Sequence, residues 1–290
     1  MKIATYQLHG ERCVGVVSED GKSVAPFALT KEEARVGALG IIQALAAGGA
    51  YPKVVDKDAV LVADVRLEAP IPVPRRNVWC VGRNYHAHAK ELSATVFKDN
   101  STKTDEWPIV FTKVPECVVG PFDEVELPTE VSDKIDYEAE LAVIIGKQGK
   151  NISRGDAMNY VYGYTVVNDV TARDVQIRHQ QWDMGKSFDT FCPMGPWLVT
   201  ADELDGTKSR VRCWVNEELR QDGPVENMIF DIPALIETIS RGITLYPGDI
   251  IATGTPAGVG MGMSPPVYIK SGDVIRVEID GLGTIENKFR

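Results

Sequence analysis

Asp136-Tyr137-Glu138-Ala139-Glu140-Leu141-Ala142-Val143-Ile144-Ile145 joins three alternating acidic residues to an unbroken apolar run. An apolar run of this length and β-branched content is a buried strand. Side chains on a strand alternate with period two, so Asp136, Glu138 and Glu140 project from one face. Three carboxylates on one face repel unless positive charge sits among them. Taken alone, Asp136 to Leu141 favours the exposed acidic edge of a surface strand, so a metal site needs a second contributor.

Working outward, most further apolar runs past residue 75 are short and rich in Val and Ile: Val78 to Val81, Tyr160 to Val167, Val211 to Val215, Ile250 to Thr253 and Val274 to Ile279. Gly, Pro and Asn-Asp turns separate them, which argues for a strand-dominated α+β fold. Helices are expected at Asn84 to Leu92, Thr171 to Gln181 and Ile232 to Ser240. Residues 1–70 read as a small α+β domain: strands Lys2 to Gln7 and Arg12 to Val17, then a helix carrying Ile41, Ile42, Leu45 and Ala46 that stops at Gly48-Gly49. Ile71-Pro72-Val73-Pro74 is a stiff connector to a catalytic domain spanning 71–290. The polar segment Ser93 to Trp107 suits a flap over ligand.

Of the 290 residues 44% are hydrophobic and 25% charged, an ordinary globular balance. A formal net charge of -10 argues against nucleic acid or an anionic membrane as partner. Five cysteines without a C-x-x-C pair suggest neither a disulfide framework nor a structural zinc site. No signal-type N-terminus or run near the roughly 20 residues of a membrane span is seen, so the expected location is cytoplasmic.

Asp169 supplies the second contributor. It follows the apolar run Tyr160 to Val167, and Thr171 and Asp174 suit the N-terminal box of a helix whose first turns point Arg173 and Gln176 outward. Glu138, Glu140 and Asp169 together form an all-oxygen site for a hard cation, Mg²⁺ first, then Mn²⁺ or Ca²⁺. In Gly82-Arg83-Asn84-Tyr85-His86-Ala87-His88-Ala89-Lys90-Glu91, His88 and Glu91 lie three apart on one helix face, as in a general-base dyad or an ordinary surface pair. Lys186 is either an oxyanion stabiliser or a surface lysine. The glycine-rich loop Thr253 to Gly262 lacks the Gly-Lys-Ser/Thr ending of a phosphate loop, though its amides and the Thr255 hydroxyl suit a substrate carboxylate.

Taken in order, Gly82 to Tyr85, His88 with Glu91, Glu138 to Leu141, Asp169 to Gln176, Lys186 to Asp189 and Gly248 to Gly260 resemble the fumarylacetoacetate hydrolase family over roughly residues 75 to 290. The resemblance implies a mixed β-sandwich roll, a divalent metal at Glu138, Glu140 and Asp169, a His88–Glu91 dyad, Lys186 near the reacting oxygens, and a homodimer. The expected reaction is hydrolytic cleavage of a carbon–carbon bond in a 2,4-dioxo acid, an acylpyruvate such as maleylpyruvate or fumarylpyruvate of aromatic catabolism. The metal would chelate the 2-oxo acid, and His88 would activate water. Arg83, Arg173, Gln176 and Thr255 are the candidates for holding substrate carboxylates. The alternatives are oxaloacetate decarboxylation, decarboxylation and isomerisation of other 2-oxo acids, and non-catalytic binding of a small acid. Asp136 lies outside the minimal Glu-x-Glu pattern, and its role stays open.

Overall fold

The computed structural model describes residues 1–93, 107–178 and 181–290. Most of the expected Ser93 to Trp107 flap, and His179, fall outside the described residues. Twelve strands form the larger sheet. At its centre Ala139–Ile145 lies antiparallel between Val161–Asn168 and Ile250–Ala252, and all seven of its residues are buried. The side chains of an unbroken apolar run have to be covered on both faces, and this position covers them. Val78–Gly82 and Ile109–Lys113 extend the sheet on one side, while Cys192–Thr200 and then Lys2–Leu8 extend it on the other. Glu218–Pro224, Arg210–Val215, Val274–Ile279 and Gly283–Lys288 make a second, antiparallel sheet. One apolar core, with Leu141, Val143, Val166, Cys213, Val277 and Ile285 in it, joins the two layers.

The apolar runs fold as strands where the alternation and β-branching place them, and Ile232–Ser240 is a helix capped by Asp231, whose carboxylate accepts the Ala234 amide at 3.0 Å. Two helices start later than their sequence suggests. Instead of beginning at Asn84, the first spans His86–Ser93, because the Asn84 side chain is tied to Phe230 and to the Thr253 carbonyl, and Arg83 takes a left-handed backbone, φ 53°. The second spans Arg173–Arg178. Thr171 and Ala172 pair instead with Asp136 and Ile135, and the Thr171 hydroxyl donates to the Asp169 carbonyl, so the expected Thr171/Asp174 box does not form. Asp174 instead accepts from the Ser132 hydroxyl at 2.5 Å.

Candidate active site

The Ala139–Ile145 strand and its neighbour set the first geometry. Glu138 and Glu140 share a face, and Ala139 lies opposite Asn168, so the chain leaving Asn168 delivers Asp169 beside them. Two bonds lock this register: the Asp169 amide donates to the Glu138 carbonyl at 2.8 Å, and the Glu138 amide donates to the Asn168 side chain at 3.0 Å. Carboxylate oxygens of Glu138, Glu140 and Asp169 lie within 4.8 Å of one another, and all three residues are buried. The exposed-edge reading of the acidic run is thereby excluded.

Buried carboxylates need compensation, since an unpaired ion inside a protein costs several kcal/mol. The Lys186 ammonium bridges Glu138 Oε2 at 2.6 Å and Asp169 Oδ2 at 2.7 Å. At 1% exposure Lys186 is not a surface lysine. Arg173, expected to point outward, is also 1% exposed. Its Nε donates to Asp136 at 2.8 Å, and its Nη1 to Glu138 at 2.6 Å and Gln176 at 3.2 Å. The helix turns Arg173 inward, where its guanidinium offsets the acidic cluster and Gln176 Oε1 accepts one of its N–H groups. Lys113, unsuspected from the sequence, is fully buried and donates to Asp169 at 2.8 Å, to the Val170 carbonyl at 3.1 Å and to the Lys186 carbonyl. Its signal was available: period two puts it on the same face as the apolar Phe111.

These neighbours set the acidities. Burial alone would raise the Glu138 carboxyl, but Lys186, Arg173 and His88 outweigh it and hold its pKa well below the ordinary range. Burial likewise opposes the Lys113 ammonium, and Asp169 with nearby thiols reverses this, so its pKa rises. Glu140 goes the other way. Burial, then the charges of Asp169 and Glu138, push its pKa well above the usual value. It accepts the Gly254 amide at 2.8 Å, and among the described residues it has no ion-pair partner. With every carboxyl counted as ionised, Asp136, Glu138, Glu140 and Asp169 outnumber the three buried cations Lys113, Arg173 and Lys186 by one, and the raised pKa of Glu140 answers that shortfall. Such a donor set, all oxygen and short of positive charge, fits a divalent hard cation. Each carboxylate oxygen has more than one lone pair, so the existing contacts leave room for coordination.

One cavity collects His88, Glu138, Glu140, Arg173, Gln176 and Lys186, with Arg83 and Thr255 also at its wall. His88 is 2% exposed, and its Nδ1 lies 3.1 Å from Glu91 Oε2 behind it, so this is not a surface pair. The Thr255 hydroxyl donates to the Ala139 carbonyl at 2.9 Å and accepts from Gln221 at 2.7 Å. Gln221, another residue not suspected from the sequence, also receives the Ala139 amide at 3.1 Å and so holds the acidic strand from behind. It sits on a strand of the second sheet, and no local pattern announces a contact across layers.

Comparison with known proteins extends this picture. The family model described as fumarylacetoacetate (FAA) hydrolase C-terminal matches residues 77–290. Oxaloacetate tautomerase YisK of Bacillus subtilis (strain 168) is 43% identical over an alignment of 309 positions covering 100% of both chains. The human mitochondrial oxaloacetate tautomerase FAHD2A is 47% identical over 229 positions, 78% of this chain and 70% of its own length. A solved fumarylacetoacetate hydrolase from psychrophilic Exiguobacterium antarcticum is 40% identical and superposes with a TM-score of 0.85, covering 100% of this chain and 99% of that one. These relatives overturn acylpyruvate hydrolysis as the expected reaction, since the two well-covered curated ones carry oxaloacetate chemistry in their names. The physical reason is that every reaction passing through the enol of a 2-oxo acid needs the same polarising carboxylate site, so that motif could not separate hydrolysis from tautomerisation. Family model, full-length relative and fold agree: the chain is an enzyme of the fumarylacetoacetate hydrolase family.

Proposed function

We propose that the chain is an oxaloacetate tautomerase, moving a proton between C3 and the C2 oxygen to interconvert the keto and enol forms. The observation that carries this reading is a buried His88, backed by the half-buried Glu91, at the wall of the cavity that holds the carboxylates, in a chain 43% identical end to end to an oxaloacetate tautomerase. Tautomerisation requires a base at carbon and stabilisation at oxygen, with no water to activate. Glu138, Glu140 and Asp169 would hold Mg²⁺, which when bound supplies Lewis-acid polarisation of the 2-oxo acid. Glu91 fixes the His88 ring through Nδ1, leaving Nε2 to take the enol O–H proton and deliver it to C3, or to carry the C3 proton to the C2 oxygen in the reverse direction. The Lys186 ammonium, held between Glu138 and Asp169, stabilises negative charge developing on the C2 oxygen. Arg173 has a buried Nη2 without a hydrogen-bond partner among the described residues, and with Arg83 and Gln176 at the wall it orients the substrate carboxylates, whereas the Thr255 hydroxyl, its one proton given to the Ala139 carbonyl, shapes the wall without donating to them. Phe111 and Trp182 supply apolar wall that limits water. Five free cysteines suit a reducing compartment, and we place the enzyme in the cytoplasm as a homodimer.

The test follows the ultraviolet absorbance of enol-oxaloacetate with Mg²⁺ and purified protein, with products identified by NMR. Decay faster than the uncatalysed rate, yielding keto-oxaloacetate and abolished by chelator, is expected. A rate equal to the blank, or pyruvate and CO₂ as the enzyme-dependent products, contradicts the reading.

A further inference from the structure

The Asp136 carboxylate has no exposed surface and does not belong to the three-carboxylate cluster, yet it is among the most heavily bonded groups in the molecule. Oδ1 accepts the Gly260 amide at 2.7 Å and the Tyr137 amide at 3.0 Å, while Oδ2 accepts the Met261 amide at 2.9 Å and Arg173 Nε at 2.8 Å. Two residues earlier on the same loop, the Gly258 amide donates to both Glu91 oxygens, at 3.0 and 3.3 Å. Glu91 in turn faces His88 at 3.1 Å. Asp136 also leads through Arg173 to Glu138. A continuous path therefore runs from the imidazole to the acidic cluster: His88, Glu91, the 258–261 loop, Asp136, Arg173, Glu138.

The loop is fitted closely to both ends of this path. Gly258 has φ +109°, and a Cβ there would lie 1.8 Å from the Arg220 carbonyl oxygen. A Cβ on Gly260 would lie 2.8 Å from Asp136 Oδ1, and one on Gly262 2.2 Å from the Glu91 carboxyl carbon. The Tyr137 hydroxyl, adjacent to Asp136, donates to the Gly258 carbonyl at 2.8 Å and clamps the loop a second time. A short backbone segment with so little slack transmits the position of one carboxylate to the other.

We propose that Asp136 is a positioning residue for the reaction: through the 258–261 loop it fixes Glu91, and so sets where His88 stands relative to Glu138. This rests on the tautomerase reading for its kinetic consequence, but the geometric claim concerns His88 alone. The experiment is a double-mutant cycle between Asp136→Asn and Glu91→Gln, with kcat and KM for enol-oxaloacetate and the ¹⁵N shifts of the His88 ring measured in parallel. An asparagine side chain is isosteric with aspartate but cannot accept all of these donors. Asp136→Asn is expected to lower kcat on the order of 10²-fold with KM within about twofold, the scale of a small misplacement of a reacting group. In the Glu91→Gln background the same change should cost little, because the path is already cut. The His88 shifts should move in Asp136→Asn alone. Tyr137→Phe, a milder cut of the second clamp, should show a smaller effect with the same non-additivity, and it decides the matter if Asp136→Asn does not fold. Losses that multiply in the double variant, or unmoved His88 resonances, overturn the proposal. If wild-type protein does not tautomerise oxaloacetate, the tautomerase reading falls and the ring shifts alone decide the role of Asp136.

Discussion

Glu140 is the one carboxyl of the site without an ion-pair partner among the described residues, and its behaviour with pH is the sharpest residue-level consequence. Its folded pKa is raised well above its ordinary value, so the folded state binds this proton more tightly than the unfolded chain does. The contribution to stability is complete below the unfolded pKa, about 4.3, and is lost as pH rises through the folded pKa. Denaturation midpoints of metal-free protein should therefore carry a falling component with rising pH that is absent in Glu140→Gln, and Mg²⁺ should restore the loss in wild type alone. A midpoint series in chelator and in Mg²⁺ checks this. Lys113 makes the opposite case: Lys113→Met strips Asp169 of a buried partner and should cost about 3–5 kcal/mol, measured by urea titration. The acidic residues were legible because clustered carboxylates on one strand face announce themselves. Lys113, Gln221 and the inward turn of Arg173 were less so, since a polar side chain far from the motif gains its role only from what folding places opposite it.

At the scale of elements, the His86–Ser93 helix and the 258–262 loop hold the dyad from two sides. His88→Asn keeps the carboxylate cluster and should leave Mg²⁺ affinity near wild type while lowering turnover by roughly 10²–10⁴-fold, read by calorimetry beside the absorbance assay. Gly258→Ala forces a Cβ into a left-handed conformation and against the Arg220 carbonyl, so it should destabilise the fold by at least about 1–3 kcal/mol, measured as a shift in the denaturation midpoint. The Ile232–Ser240 helix was readable from its Asp231 cap and apolar spacing because those signals are local. The starts at Thr171 and Asn84 were not, because pairing with Asp136 and ties to Phe230 and Thr253 compete with helix formation there. Local propensity yields where the backbone or side chain has a better partner elsewhere.

Across the whole molecule, the strand-dominated architecture followed from short β-branched runs, whereas the order of strands in the sheet did not, since pairing partners lie far apart in sequence. We propose that residues 1–70 form a small unit carried on the 71–290 body. Ala4, Tyr6, Val17, Val24 and Leu67 form a small apolar cluster against which Trp197 packs, while Ile3, Phe27 and Ile42 enter the main core and Lys2–Leu8 continues the large sheet through Cys192–Thr200. Deleting 1–70 would bare that strand edge, so the truncated chain should melt at lower temperature and aggregate, as scanning calorimetry with light scattering would register. No helix among the described residues is long and apolar enough to cross a membrane. We propose that neighbouring strands of the large sheet bring Glu138, Glu140 and Asp169 around one divalent ion beside His88. Crystals grown with Mn²⁺ test it by anomalous diffraction: a single strong peak at coordination distance from all three carboxylates is predicted. Density elsewhere, or none within reach of Glu140, would rule out a shared ion at these three carboxylates.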